Sequence, residues 1–162
     1  MADIRPDFAW IRQKPARFLA FGFGSGLAPK APGTFGTLAA LPLAFLLHAV
    51  GIDGGLLVLL SAALFFWGIG ICGSTEKELG KEDFGGIVWD EITAMLLITA
   101  FIPFQWSWWL AAFALFRLLD AAKPMPIKWF DQKFSGGLGI MIDDLIAALI
   151  TIVLMGALQL AA

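Results

Sequence analysis

The chain has 162 residues, of which 59% are hydrophobic and only 15% charged, and its mean hydropathy is +0.83. A soluble globular domain carries roughly a quarter charged residues, so this composition excludes one and specifies an integral membrane protein of a single domain, residues 1–162. The net charge of −2 is too unevenly placed to be informative, no basic stripe suits nucleic acid, and the one cysteine, Cys72, precludes an internal disulfide.

Residues 1–21 mix Arg5, Arg12, Lys14 and Arg17 with Phe8, Trp10, Ile11, Phe18, Leu19 and Phe21. That pattern predicts an amphipathic segment lying in a membrane surface, and the charge continuing through Arg17 does not suit a secretory signal. A Gly/Pro-rich loop follows over 22–37, with Thr34 placed to cap the next helix. It offers backbone N–H groups, Lys30, and the hydroxyls of Ser25, Thr34 and Thr37 ahead of a helix N-terminus, an arrangement that suits a phosphate. It is not a Walker A loop, and a plain surface turn would explain it about as well.

Five apolar spans come next, over 35–50, 56–73, 87–104, 106–122 and 145–161. Seventeen helical residues reach about 26 Å, just enough for a thin bilayer core. The third and fourth spans form either two crossings or a re-entrant hairpin. Trp106, Trp108 and Trp109 read as an interface belt. The charged residues of 76–83 read as a solvated loop face, and 123–144 as a polar segment. The fold class is thus an all-α, polytopic helical bundle: residues 1–34 at the surface, 35–162 in the bundle.

All eleven Lys and Arg fall in 1–34, 74–86 or 117–134, whereas the turns at 51–55 and 103–106 have none. The bias toward basic cytoplasmic loops puts the N-terminus inside and the C-terminus outside. Only Asp53, among charged residues, is left on the far side.

The cytoplasmic edge then collects Asp90, Glu91, Asp120, Asp143 and Asp144. Five carboxylates from three helix ends repel one another unless a cation neutralises them, and oxygen ligands without His or Cys select Mg²⁺ or Mn²⁺. Adjacent acids on a helix point about 100° apart, so one of each pair is expected on the ion and the other as a cap or water ligand. Asp143 as a helix cap and Asp144 as a first-turn partner of the helix dipole are the plain structural alternatives. Arg117, Asp120 and Lys123 stand at i, i+3 and i+6, with Pro124 stopping the helix. A salt bridge at the membrane surface would also explain that spacing. His48, the only histidine, sits at the far end of the first span with no Ser or Cys partner, which excludes histidine- and cysteine-based phosphatases.

Four blocks in order resemble the motifs of the phosphatidylglycerophosphatase A family: GSGLAPKAPGTFGTL at 24–38, VWDEI at 88–92, FRLLDAAKP at 116–124 with Pro126-Ile127, and GGLGIMIDDL at 136–145. The resemblance covers 15–150 and departs at no acidic or basic motif position; Ala121-Ala122 are merely smaller than usual. It implies a bacterial inner-membrane, Mg²⁺-dependent enzyme that removes the terminal phosphate of phosphatidylglycerophosphate to leave phosphatidylglycerol. Residues alone lead only to a metal-dependent membrane enzyme acting on a phosphate at the cytoplasmic face. Lys30, Arg117 and Lys123, with Thr34 and Thr37, would then hold the phosphate, and Asp90, Glu91, Asp120, Asp143 and Asp144 the Mg²⁺. Asp90, Asp120 and Lys123 would carry the chemistry. Water activated by the cation is the favoured nucleophile, with direct attack by Asp90 or Asp120 left open.

Two other readings compete. A CDP-alcohol phosphotransferase would need an Asp-Gly-x-x-Ala-Arg core, which is missing. A non-enzymatic carrier of divalent cation or phosphate would need charges near the midplane of its spans, and none stands there.

Overall fold

The computed structural model describes residues 5–161 and is entirely helical, with no strand among them. Residues 1–4, the start of the N-terminal segment, and residue 162 lie outside this description.

The N-terminal segment is two short helices, α1 (Phe8–Ile11) and α2 (Pro15–Ala20), followed by a 3₁₀ turn over Gly22–Leu27. Asp7 caps α1 by accepting the Trp10 N–H at 2.7 Å. Ile11, Ala20 and Phe21 are fully buried against protein, so only part of the segment, including Phe8 and Phe23, is left to face a membrane surface.

Helix α3 (Pro32–Ala49) starts earlier than the loop composition suggests. Ala31 turns through a left-handed φ of 48° and Pro32 takes the first helical position, where its missing N–H costs nothing. Thr34 is therefore a first-turn residue and not the cap. Helix α4 (Gly54–Leu79) likewise continues past the expected end at residue 73, until Gly80 stops it in the left-handed region at φ 66°. That extension corrects the reading of 76–83 as a solvated face in part: Lys77, Glu82 and Asp83 are exposed as expected, but Glu76 and Glu78 are not free surface residues. Glu76 is buried and accepts the Asp83 N–H at 2.9 Å, while Glu78 takes Lys14 and Arg17, both at 2.6 Å, and pins the N-terminal segment.

Helix α5 (Trp89–Thr99) has 11 residues, nine of them buried, and is about 16 Å long. Beyond the two acids of its first turn α5 is apolar apart from Thr93 and Thr99, as suits a core helix, and it is enclosed by α3, α4 and the last helix, α8 (Gly136–Ala161). Between them come α6 (Trp106–Ala122), which packs on α8 and α3, and the short α7 (Ile127–Lys133). Three helices, α3, α4 and α8, are long and apolar enough to cross a membrane.

The largest departure is the start of α8, nine residues before the expected 145. Gly136, Gly137 and Gly139 look like helix breakers, but Gly137 is a contact residue. A methyl group there would lie 1.9 Å from the Ile69 carbonyl oxygen. Small residues let α8 and α4 touch backbone to backbone, which is how helices associate where no hydrophobic effect drives them. Asp143 and Asp144 therefore lie two turns inside a helix and are neither a cap nor first-turn residues.

Trp109 is also displaced from its expected role. It is buried in the core against His48, Phe104 and Trp106, and only Trp106 of the proposed belt is exposed. His48 donates from Nδ1 to the Ala44 carbonyl, 2.8 Å away, and stacks on Phe104, as a packing residue should. Cys72 is buried beside Met141.

Candidate active site

The five carboxylates expected at the cytoplasmic edge do converge, from α5, α6 and α8. They form two trios that share Asp144: Asp90, Glu91 and Asp144, and Asp120, Asp143 and Asp144. In each trio one oxygen per residue lies within 4.8 Å of the others. Adjacent acids are expected to diverge, yet Asp90 and Glu91 both belong to the first trio and Asp143 and Asp144 both to the second, so neither member of a pair is relegated to a cap.

Helix α6 supplies the cations. Arg117 donates from Nη1 to Asp120 Oδ2 at 2.6 Å, one turn along the same helix, and approaches Glu91 Oε1 at 3.5 Å. Lys123, just past the helix end with φ 43°, donates to Asp131 on α7 and to Asp143 Oδ2 at 2.9 Å. Burial disfavours the Lys123 ammonium, yet Asp131 and Asp143 outweigh it and hold its pKa above the usual lysine range. It remains a cation at any working pH.

The two trios differ in what their oxygens already touch. Asp120 and Asp143 are each engaged by a protein cation. Asp90 Oδ1, Glu91 Oε2 and Asp144 Oδ2 are buried and have no hydrogen-bond partner among the described residues. Unpaired buried carboxylate oxygens are costly unless something satisfies them. Three such atoms from one trio are the donor set of a hard divalent cation, and no nitrogen or sulfur ligand competes. The residues present fit that ion.

The Gly/Pro-rich stretch contributes by close approach. A methyl group on Gly33 would lie 2.1 Å from Glu91 Oε1 and 3.1 Å from Arg117 Nη2, so the first turn of α3 sits directly on this carboxylate and guanidinium. Thr34 follows it, half-buried. Thr37 is buried, and its hydroxyl donates to the Gly33 carbonyl at 2.8 Å, so its proton is used within α3. Lys30 lies on the exposed loop and makes no ion pair among the described residues. Two contributors went unnoticed in the sequence. Gly33 was hidden among other glycines, and Asp131 carries no motif signal at all. Beyond Asp143 a polar cleft of about 280 Å³, lined also by Glu76, Asp83, Asp131 and Ser135, leads outward from the cluster.

Buried acids converging from α5, α6 and α8, with Arg117 and Lys123 beside them in a bundle that holds three helices long and apolar enough to cross a membrane, are a residue set suited to a membrane-embedded phosphatase. The comparisons agree with that class and narrow it. Residues 18–159 match the family model described as phosphatidylglycerophosphatase A. A Haemophilus influenzae protein of that name is 44% identical over 147 residues, covering 90% of this chain and 89% of its own. An Escherichia coli protein of the same name is 44% identical over 139 residues, covering 85% and 79%. A Bacteroides thetaiotaomicron protein, named provisionally as a phosphatidylinositol-3-phosphatase, is 36% identical over 160 residues, 93% of each chain. No solved structure matches the chain. The chain belongs to the phosphatidylglycerophosphatase A family.

Proposed function

We propose that this protein hydrolyses the terminal phosphomonoester of phosphatidylglycerophosphate to phosphatidylglycerol and phosphate, with Mg²⁺, at the cytoplasmic face of a bacterial inner membrane. The observation that carries the reading is the pairing of three unpartnered acid oxygens with two cations already held in place by Asp120 and Asp143. Family membership supplies the lipid.

Asp90, Glu91 and Asp144 would hold the ion, with Asp120 and Asp143 completing its surroundings. Mg²⁺ so bound supplies Lewis-acid stabilisation of charge on the phosphate oxygens. Arg117 presents a planar fork suited to two phosphate oxygens, and Asp120 fixes the orientation of that fork. Lys123, kept protonated by its two acids, acts as a fixed charge and not as a proton donor. The first turn of α3 approaches Arg117 at Gly33, and Lys30 and Thr34, on either side of that glycine, would complete the anion site. Water would attack phosphorus and give its proton to an acid of the cluster such as Asp90, while the bond to the glycerol oxygen breaks and that oxygen takes a proton from solvent. Of the two acids open to direct attack, Asp120 has one oxygen, Oδ2, already accepting from Arg117.

The orientation follows the basic residues, with the N-terminus inside and the C-terminus outside. Five segments cross. Helix α5 is short, but the residues after it reach the far ends of its neighbours: Phe101 O accepts from Gln159 and Phe104 stacks on His48. That contact supports a crossing over a shallow re-entrant loop. The whole forms one membrane-embedded domain whose substrate stays in its leaflet.

The test is mass-spectrometric analysis of detergent-solubilised protein given phosphatidylglycerophosphate, with and without EDTA. Phosphatidylglycerol should appear only where Mg²⁺ is free. No product at any metal concentration would discard the reading.

A further inference from the structure

A second cavity adjoins the carboxylate cluster, on its membrane side. It measures about 180 Å³ and is lined by Val58, Ser61, Ala62, Phe65 and Phe66 of α4, with Thr93, Ala94 and Leu97 of α5 and Met141 and Leu145 of α8. One further lining residue is Asp90, which also belongs to the acid trio. The cavity and the site therefore meet at Asp90. From Asp90 the cavity follows α5 to Leu97, seven residues or about 10 Å, away from the charged cytoplasmic end. It reaches the outer surface of α4 at Ala62 and Phe66, both exposed on a helix that crosses the membrane.

Its walls are apolar with one exception besides Asp90 and Thr93, whose hydroxyl is taken by the Asp90 carbonyl at 3.0 Å. Ser61 is 3% exposed, and its hydroxyl oxygen has no hydrogen-bond partner among the described residues. A buried hydroxyl in an apolar wall is stranded unless a ligand satisfies it. A helical serine commonly bonds back to the carbonyl one turn earlier, as Thr37 and Thr151 do here. Ser61 does not, which leaves it available.

We propose that this cavity is the seat of one acyl chain of the substrate phospholipid, and that the Ser61 hydroxyl donates to the ester carbonyl at the head of that chain. The proposal rests on the phosphatase reading and names how the lipid is gripped. An acyl chain matches what the cavity offers: an apolar trough open to the lipid, one unpartnered donor in its wall, and a residue, Asp90, shared with the acids that act on the headgroup. Gripping the chain in place converts binding energy far from phosphorus into orientation of the phosphomonoester.

Competition between two substrates in one detergent micelle tests this, because the product ratio does not depend on how much enzyme is folded. The pair is dioctanoyl- and dipalmitoyl-phosphatidylglycerophosphate, read by mass spectrometry. Ala62→Phe and Leu97→Phe fill the trough without touching the acids or the cations. Each should shift the ratio toward the shorter lipid by about tenfold, the effect of losing a few methylene contacts. Ser61→Ala should lower kcat/KM for both lipids alike, since both carry the ester. A ratio unchanged in both filled variants, with both lipids still cleaved, overturns the acyl seat and leaves the phosphatase intact. Cleavage of neither lipid by the wild type would instead overturn the phosphatase reading. Should the filled variants not fold, a dipalmitoyl analogue with a diazirine on one chain decides the matter on wild-type protein. Crosslinks at Val58–Phe66 or Thr93–Leu97 peptides support the seat, and crosslinks confined to other helices sink it.

Discussion

At Gly33 one hydrogen in place of a methyl group decides whether Glu91 can keep its position. An added Cβ would stand 2.1 Å from Glu91 Oε1, far inside contact distance, while Arg117 blocks the other side at 3.1 Å. Gly33→Ala should therefore displace the carboxylate although alanine is the better helix former. We expect kcat/KM to fall about 10²-fold, as for a misplacement near 1 Å, with the thermal midpoint unchanged or raised. Normal turnover in that variant would mean Glu91 has no part in the reaction. Arg117 allows a sharper distinction between clamp and brace. If it only braces α6 through Asp120, the Arg117→Leu/Asp120→Leu pair should be tolerated, because an apolar pair often replaces a buried ion pair without loss. As a phosphate clamp it should resist even Arg117→Lys, which keeps the charge and loses the fork. We expect a loss of about 10²-fold or more in kcat/KM for Arg117→Lys, and an active double-leucine variant would decide for the brace.

Between elements, the contact of α8 with α4 sets where Asp143 and Asp144 stand. Gly137 meets the Ile69 carbonyl and the Gly73 amide, and Gly68 lies against Met141 and Trp89. Gly137→Ala should push α8 outward and cost about 1–3 kcal/mol, the usual penalty of overpacking. A drop in thermal midpoint with activity falling in step is the expected result. An unchanged midpoint would show that the helices have slack at this crossing. The same contact explains why the start of α8 was not legible beforehand. Glycines in a sequence advertise turns, and only the neighbouring backbone reveals that these three serve close approach. Asp143 and Asp144 were legible as candidates, but their depth in a helix was not.

For the whole molecule, binding of the ion should couple to stability. Five acids held together with only Arg117 and Lys123 to offset them favour any cation that binds the folded state alone. Adding Mg²⁺ to protein stripped with EDTA should stabilise it by about 2.7 kcal/mol at a hundred times the dissociation constant, read as a rise in thermal midpoint. Asp144→Asn, which removes the acid common to both trios, should abolish that rise, and a rise of full size in this variant would refute Asp144 as the shared ligand. Orientation is checked by cysteines at Asp53 and Lys128 in a Cys72→Ala background. Labelling of both from the same side of spheroplasts would be incompatible with the topology.

Composition alone determined that this chain belongs in a membrane, because an excess of apolar residues cannot be hidden in a core of 162 residues. The run of apolar segments determined an all-helical bundle, since a lipid-exposed backbone must satisfy its own hydrogen bonds. Residue type singled out the candidate acids and bases, since Asp, Glu, Arg and Lys are rarely left in such segments without a purpose. Tertiary structure decided the rest. Whether a glycine ends a helix or lets another pass depends on what lies opposite it. Whether a tryptophan marks an interface or fills a core, as Trp109 does, depends on the face its helix turns inward. And which carboxylates already have a partner was decided only when α6 carried Arg117 and Lys123 to Asp120 and Asp143, leaving Asp90, Glu91 and Asp144 with oxygens to spare.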